Sequence, residues 1–356
     1  MTIKFPIKLF FTILFFFSIN LSFAQSKYQK DFSKFWTAIN NHYAYLDQQN
    51  IDWKKVKEIY EPKAEKISND QEFIQLLETA LNELHNGHSS LNTNLNTSNR
   101  LIPSGSDFYV EKVGNKFFVA DLRKGFGADL SGMKIGMEVT KFNGKPIDEQ
   151  LKKFLPKFTN QHNPKMYQYA IDMLFAGTYD VEREITAVEN GKSKTYKPVS
   201  YRNRDELLYS KIINDKTAYI KINNSLGNNA LISEFDKTLD SFFQHKNLII
   251  DLTETPSGGN STVARAIMGR FTTKLLPYQI HEFDEKEYET KRHWTEFVTP
   301  RKEIYQGNVF VLVGHWTGSM GEGIAIGFDG MERANIIGTK MAGLLGAISN
   351  FQMTET

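Results

Sequence analysis

Cysteine is absent from the 356 residues of this chain. Disulfides, thiolate metal sites, a cysteine nucleophile and an acylated lipoprotein cysteine are therefore excluded. A charge excess is also lacking, because residues 25–356 carry equal numbers of basic and acidic side chains. The electrostatic attraction that nucleic-acid binding requires is thus missing, and no nucleic-acid partner is expected. Beyond the N-terminus, no apolar run approaches the roughly 18 residues of a membrane-spanning helix.

Residues 1–24 have the features of a signal peptide. Lys4 and Lys8 precede the apolar run Leu9–Phe17, and the small-residue cleavage site Ser22-Phe23-Ala24 follows. The apolar run is too short to span a bilayer unaided. We therefore expect an exported protein, periplasmic or secreted, with no stable membrane span after signal cleavage.

The rest of the chain divides into three regions of different pattern. Residues 25–103 have apolar side chains at helical spacing and predict an N-terminal helical domain. Residues 104–202 contain short apolar runs around Gly114-Asn115 and Asn190-Gly191, which predict β-hairpins. Residues 203–356 alternate strands with helices, which predicts an α/β domain with parallel strands and crossover helices.

A segment of the second region resembles the core of bacterial PDZ domains. Residues 127–136 read as a short helix leading into a glycine-bordered turn, and the next strand ends in Asn143-Gly144. The resemblance implies a PDZ-like β domain inserted between the helical region and the α/β region. Such a domain would bind or gate an unstructured peptide tail by strand addition.

The strongest chemical signal follows the apolar strand Val309–Val313. There Thr317-Gly318-Ser319-Met320 forms a turn that opens a helix. Free N–H groups and the helix dipole at such a position stabilise an oxyanion and favour an activated serine. From the local pattern alone, Ser319 is more simply explained as an N-cap, because serine is a preferred capping residue.

A second turn follows the apolar strand Leu248–Leu252. It contains Gly258 and Gly259, and paired glycines permit close backbone approach and expose N–H groups. The same pattern is also compatible with an ordinary turn between a strand and a helix.

The third signal is His88, which follows Asn86-Gly87. We predict that this pair ends the third helix of the helical region, which carries Phe73, Leu76, Leu77, Ala80, Leu81 and Leu84 on one face, because glycine tolerates the left-handed conformation found after helices. His88 is a candidate general base, although a single histidine is more often only a surface or hydrogen-bonded residue. His315 is a competing base, but it precedes Ser319 in the same turn and would strain to reach it. His85 and His88 lack a third metal ligand at a recognisable spacing, so no metal is predicted.

Taken in order, these segments resemble signatures of the C-terminal processing, or tail-specific, serine peptidase family and its tricorn-like relatives. Glu83–Ser89 is similar to L-x-D-G-H-T/S, and Ile249–Gly259 to I-I-D-L-R-x-N-x-G-G. Thr317–Glu322 is similar to the nucleophile turn T-x-S-x-x-E, and Ile337–Gly343 to V-G-E-x-T-x-G. The resemblance spans residues 28–350.

Two departures decide which branch of the family the chain resembles more closely. Members with a Ser–Lys dyad carry the lysine directly after the last glycine, where this chain has Leu344; Lys340 lies earlier. The tricorn-like branch uses the histidine of the upstream signature, here His88, but places a serine before it, where this chain has Gly87. Its distal Glu is expected past Thr356. The chain is thus closer to the Ser–His branch, without an evident third member of a triad.

The resemblance implies a crotonase-like α/β peptidase core beside the helical and PDZ-like domains. Ser319 would be the nucleophile, and His88 would take its proton and return it to the leaving amine. The N–H groups of Gly259 and Met320, with Gly258 nearby, would form the oxyanion hole, and no cofactor would be needed. The expected function is an exported serine peptidase that cleaves unstructured or C-terminal peptide segments. The alternative is a catalytically impaired peptide- or ligand-binding protein on the same fold.

Overall fold

The computed structural model of the chain describes residues 26–199 and 206–353. The expected signal segment 1–24, and the boundary expected between residues 202 and 203, lie outside the described residues. Within the described part, no helix is both long enough and apolar enough to cross a membrane.

The first region is helical. It contains three α-helices whose apolar faces share one buried cluster: α1 (Lys27–His42), α2 (Trp53–Ala64) and α3 (Asp70–Leu81). The side chain of Asp52 accepts a hydrogen bond from the N–H of Lys55 at 2.9 Å, as expected of an N-cap.

The end of α3 differs from the sequence prediction. The α-helix ends at Leu81, and a 3₁₀ turn, Asn82–Leu84, follows it directly. His85 then takes the left-handed conformation, with φ 37°. The prediction that Asn86-Gly87 ends the helix is therefore wrong. Gly87 has a different use, because a Cβ there would lie 2.8 Å from the carbonyl oxygen of Ile102. The glycine lets two loops touch directly before His88.

The second region is an antiparallel sheet with the strand order β1-β2-β3-β5-β6, and β4 pairs with β3. The predicted hairpin around Gly114-Asn115 is confirmed as β1 and β2. The region has its own buried apolar cluster, to which the helix α6 contributes. Its elements in chain order are β1 (Phe108–Val113), β2 (Lys116–Leu122), α4 (Gly127–Leu130), β3 (Glu138–Phe142), β4 (Lys145–Pro146), α5 (Ile147–Leu151), α6 (Pro164–Ala176), β5 (Ile185–Glu189) and β6 (Lys192–Tyr196).

The third region alternates strands and helices, as predicted, so the chain is a mixed α/β protein. Five strands form a sheet in the order β13-β12-β9-β8-β7, and every neighbouring pair except β7 and β8 is parallel. The helices of this region contribute to one apolar cluster with the sheet. The elements are β7 (Leu208–Asn214), β8 (Thr217–Ile222), α7 (Ala230–Asp240), β9 (Asn247–Asp251), α8 (Ser261–Met268), β10 (Leu276–Glu285), β11 (Thr290–Val298), β12 (Asn308–Val313), α9 (Met320–Gly330) and β13 (Asn335–Gly338).

The antiparallel hairpin of β10 and β11 is not predicted by the sequence. It lies between β9 and β12 in the chain but outside the five-stranded sheet. Most of its side chains are exposed or half-buried; Ile280 is 79% exposed. The hairpin lacks the buried face that makes a strand recognisable, because mixed polar and apolar residues cover both of its sides.

Candidate active site

Two loops meet at the carboxyl edge of the core sheet. Because β9 and β12 are adjacent and parallel, the turns that follow them leave the sheet at the same edge. The N–H of Thr255 donates to the carbonyl of Trp316 at 3.1 Å, and the N–H of Gly318 donates to the carbonyl of Thr255 at 3.2 Å. These bonds join the glycine turn to the turn that carries Ser319.

Ser319 has the backbone of a strained turn residue. Its φ is 51° and its ψ is −115°, directly before the first residue of α9. An ordinary N-cap residue is extended, so capping alone does not account for this conformation. A non-glycine residue held in such a region costs about 1–3 kcal/mol, and strained turns of this kind between a strand and a helix present nucleophilic serines.

Gly258 is packed against Ser319. A Cβ at Gly258 would lie 2.3 Å from the Cβ of Ser319 and 2.7 Å from its Oγ, and the glycine itself has φ 63°. Any side chain at this position would displace the serine hydroxyl. The N–H of Gly258 donates to the carbonyl of Thr255 at 3.3 Å. Gly258 therefore provides space beside the hydroxyl, and its N–H is already used.

Two neighbouring N–H groups are free. Within residues 26–199 and 206–353, the backbone N–H groups of Gly259 and Met320 have no hydrogen-bond partner. Met320 is the first residue of α9, so its N–H also lies at the positive end of the helix dipole. A Cβ at Gly259 would lie 2.2 Å from the carbonyl carbon of Leu226, so the glycine turn packs tightly on its other side. Two free donors beside a strained serine are suited to an oxyanion.

Glu322 fixes the beginning of α9. Its carboxylate is almost fully buried and accepts hydrogen bonds from three backbone N–H groups, those of Ser319 (2.9 Å), Gly343 (2.8 Å) and Leu344 (2.7 Å). Burial raises the pKa of Glu322, and these three bonds act in the opposite direction. The sequence motif contains this glutamate, but the role of holding residues 343–344 against the serine turn appears only in the structure.

His88 lies half-buried on its loop, and its own N–H donates to Oδ1 of Asn86 at 2.8 Å. Burial lowers the pKa of His88 below its usual 6.5, which favours the neutral imidazole that can accept a proton. In the described part of the chain the His88 ring makes no hydrogen bond, and therefore none to Ser319. The structure brings Ser319, Met320, Gly258 and Gly259 together, but it does not bring His88 into hydrogen-bond contact with Ser319.

The two competing bases lie in less suitable surroundings. The ring of His315 stacks on Tyr109 of β1, with 3.7 Å between ring centroids and 9° between planes. Burial lowers the pKa of His315. Lys340 is exposed and has no hydrogen bond or ion pair among the described side chains. Within residues 26–199 and 206–353, no three histidine or carboxylate side chains are grouped so that they could hold a metal ion.

The antiparallel sheet is attached to both site turns. Arg123, which follows β2, forms an ion pair with Glu254 at 2.8 Å, and the two side chains are 6% and 11% exposed. The indole N–H of Trp316 donates to the carbonyl of Ser106 at 2.9 Å. The turns after β9 and β12 are thus each held to a residue flanking the second sheet.

Comparison with known proteins agrees with this geometry. Residues 24–82 match the model of the tricorn protease C1 domain, and residues 216–356 match that of peptidase family S41. A search of curated protein sequences found no match. The structure of a photosystem II D1 C-terminal processing protease aligns with TM-score 0.54 at 14% identity, over 90% of this chain and 83% of that one. The structure of mature CPAF aligns with TM-score 0.63 at 15% identity, over 92% and 86%. At these identities, the two structures show a shared fold.

The S41 match covers residues 216–356, a range that includes both turns of the site. The S41 match and the fold shared with processing proteases support a serine-type peptidase, whose substrate is a peptide. These matches identify the part of the chain that carries the site as a tail-specific S41 peptidase, and the family predicted from the motifs is confirmed.

Proposed function

We propose that this peptidase cleaves unstructured or C-terminal peptide segments with Ser319 as nucleophile and His88 as general base, in the manner of the Ser–His branch. The observation that carries the proposal is the strained backbone of Ser319 beside the free N–H groups of Gly259 and Met320. A carbonyl carbon attacked by the Ser319 hydroxyl would place its developing oxyanion against these two donors.

The proposed reaction is an acyl transfer in two halves. The Ser319 oxygen forms a bond to the scissile carbonyl carbon while its proton passes to the neutral imidazole of His88. The tetrahedral intermediate then breaks its C–N bond, and His88 returns the proton to the leaving amine. In the second half, water attacks the acyl carbon on Ser319 while His88 takes its proton. The bond between this carbon and the Ser319 oxygen then breaks, and His88 returns the proton to Ser319. The proposed transfer requires the His88 ring to lie within hydrogen-bond distance of the Ser319 hydroxyl when substrate is bound.

The three regions supply the rest of the proposal. We assign the helical domain to residues 25–103, a PDZ-like domain to 104–202 and a crotonase-like peptidase core to 203–356. In support, the Asn143-Gly144 turn after β3 has positive φ at both residues, 47° and 75°. The PDZ-like sheet would take up a peptide tail at an edge strand. Residues 1–24 would direct export to the periplasm or the medium.

A fluorophosphonate probe tests the nucleophile, because the probe reacts only with an activated serine. We expect the chain from residue 25 onward to be labelled at Ser319 and to hydrolyse an unfolded protein, and Ser319→Ala to do neither. His88→Ala should slow both reactions, whereas the control His293→Ala, on the exposed hairpin, should slow neither. If wild type and Ser319→Ala are equally inactive across pH and a broad peptide library, yet bind peptide equally, an impaired binding protein replaces this proposal.

A further inference from the structure

The His88 loop and the Ser319 turn make no direct bond, yet a continuous series of contacts joins them. The series passes through two tyrosines, Tyr43 and Tyr45, in the turn directly after α1. These tyrosines belong to neither of the segments that carry the proposed chemistry.

The first half of the series holds the histidine loop. The side chain of Asn86 accepts the backbone N–H of His88 at 2.8 Å, and its Nδ2 donates to the hydroxyl of Tyr43 at 2.8 Å. The Tyr43 hydroxyl in turn donates to Oε1 of Gln49 at 3.3 Å. Burial raises the pKa of Tyr43 to about 12, so the hydroxyl stays neutral. One amide thus fixes the backbone of His88 to Tyr43.

The second half begins at Tyr45. Its ring packs edge-on against that of Tyr43, with 5.6 Å between centroids and 79° between planes. Its hydroxyl donates to the carbonyl of Leu345. The tyrosine is therefore held at one side by a ring contact and at the other by a backbone group next to the serine turn.

Glu322 completes the connection. The N–H of Leu344 donates to Oε2 of Glu322, and the same oxygen accepts the N–H of Ser319. Burial, and then the charge of Glu322, raise the pKa of Tyr45, in keeping with a hydroxyl close to this carboxylate. The contacts thus form an unbroken connection from the backbone of His88 to the backbone of Ser319.

We propose that Tyr43 and Tyr45 are positioning residues that set the separation between the His88 loop and the Ser319 turn. The inference rests on the proposed Ser–His mechanism. Proton transfer requires near hydrogen-bond distance, and a misplacement of about 1 Å can cost about 10²-fold in rate. Two tyrosines on one short turn, each bonded to a different side of the site, suit this role.

Tyr45→Phe is the sharpest variant, because it keeps the ring contact and removes only the bond to Leu345. We expect kcat to fall about tenfold with little change in KM, and fluorophosphonate labelling to slow by a similar factor. The matched control is Tyr28→Phe in α1, which also loses one hydroxyl bond, to Asp70, and should keep its kcat. If Tyr45→Phe changes only Tm and leaves kcat unaltered, the tyrosine merely stabilises the fold and the proposal is overturned.

Asn86 provides a rescue test of the other half. Asn86→Asp keeps an acceptor for the His88 N–H and can accept the Tyr43 hydroxyl, whereas Asn86→Ala loses both contacts. We expect Asn86→Asp to retain most of the turnover and Asn86→Ala to lose about tenfold or more. Equal kcat for Asn86→Ala and wild type would contradict the role of this contact.

Hydrogen exchange separates this inference from the proposed function. In Tyr45→Phe we expect the amides of Leu344 and His88 to exchange at least about threefold faster than in wild type, whether or not the protein is active. A wild type that neither labels nor cleaves would contradict the Ser–His function, and the exchange rates would then decide the positioning on their own. Unchanged exchange in Tyr45→Phe, with wild type active, would overturn the positioning alone.

Discussion

The turn that carries Ser319 is held by bonds from several directions, whereas the loop that carries His88 depends mainly on one amide side chain. Around Ser319, a buried carboxylate accepts three N–H groups, and the turn after β9 adds two more backbone bonds. Around His88, the side chain of Asn86 accepts the His88 N–H, the carbonyl of Asn86 accepts the Ser89 N–H at 3.3 Å, and the ring of His88 makes no hydrogen bond within the described residues. The proposed nucleophile and anion site are therefore preorganised, while the proposed base lies on the more adjustable element.

Removing the nucleophile tests the rigid side of this comparison and should have the largest effect. Ser319→Ala should lower hydrolysis on the order of 10⁴-fold or more, because no other group replaces the attacking oxygen. Turnover of an unfolded protein and circular dichroism measure activity and folding. The control Ser233→Ala, on the exposed side of α7, should behave as wild type. Substantial hydrolysis by Ser319→Ala would mean that the nucleophile lies elsewhere.

Removing the base tests the adjustable side. His88→Ala should lower kcat/KM by about 10²–10⁴-fold, the usual contribution of a general base, and should leave peptide binding intact. Stopped assays with a chromogenic peptide and a separate binding titration distinguish the two effects. If His88→Ala is as active as the His293→Ala control, the His88 loop is not part of the site, and His315 and Lys340 become the candidate bases.

Loosening the rigid turn should have an intermediate effect. In Glu322→Gln, one amide oxygen cannot accept three N–H groups, and the amide NH₂ faces donors. We expect kcat to fall roughly 10–10²-fold, and the free energy of unfolding to fall by about 1–3 kcal/mol, the cost of a buried polar group left unpaired. Urea denaturation and kcat are measured on the same preparation. Unchanged stability would show that the three bonds do not hold this turn.

The pH profile should show the smallest effect and sharpens the description of His88. Burial lowers the pKa of His88, and only its neutral form accepts the Ser319 proton. The kcat/KM value should therefore rise with pH, with a midpoint below 6.5, and then level off. The profile is measured at substrate concentrations well below KM, where kcat/KM reports the pKa values of the free enzyme. A midpoint above 6.5 would contradict a buried imidazole without a nearby carboxylate.

Much of the core and of the serine turn was predictable from sequence, because those signals are local. Buried strands alternating with helices predicted the parallel sheet, and the glycines and Ser319 lie within short motifs. The positive φ of Ser319 was not predictable, because Ser319 packs against Gly258, which lies in the turn after a different strand. The conformations at the end of α3 were also missed, since His85 rather than a glycine takes the left-handed position.

Contacts between distant segments account for the rest. Asn69 caps α3 by accepting the N–H of Glu72, and the carboxylate of Glu72 accepts hydrogen bonds from Ser68 rather than from the N–H of Asn69. The contact of Tyr45 with Leu345 joins segments that carry no pairing signal in the sequence. The β10–β11 hairpin lacks a buried face to reveal it. Local pattern predicts elements, while their mutual placement comes from packing.

The bond between Tyr45 and Leu345 spans 300 residues, which has a consequence for the order of assembly during synthesis. Chains emerge from the ribosome N-terminus first, and helices α1 to α3 can pack on one another from local contacts. The helical region would then remain without this contact until β13 and the segment after it have been translated. A nascent chain released before residue 345 lacks the partner that Tyr45 holds. The two parts of the proposed site thus become joined only after residue 345 has been translated, and shorter products carry the Ser319 turn without this restraint.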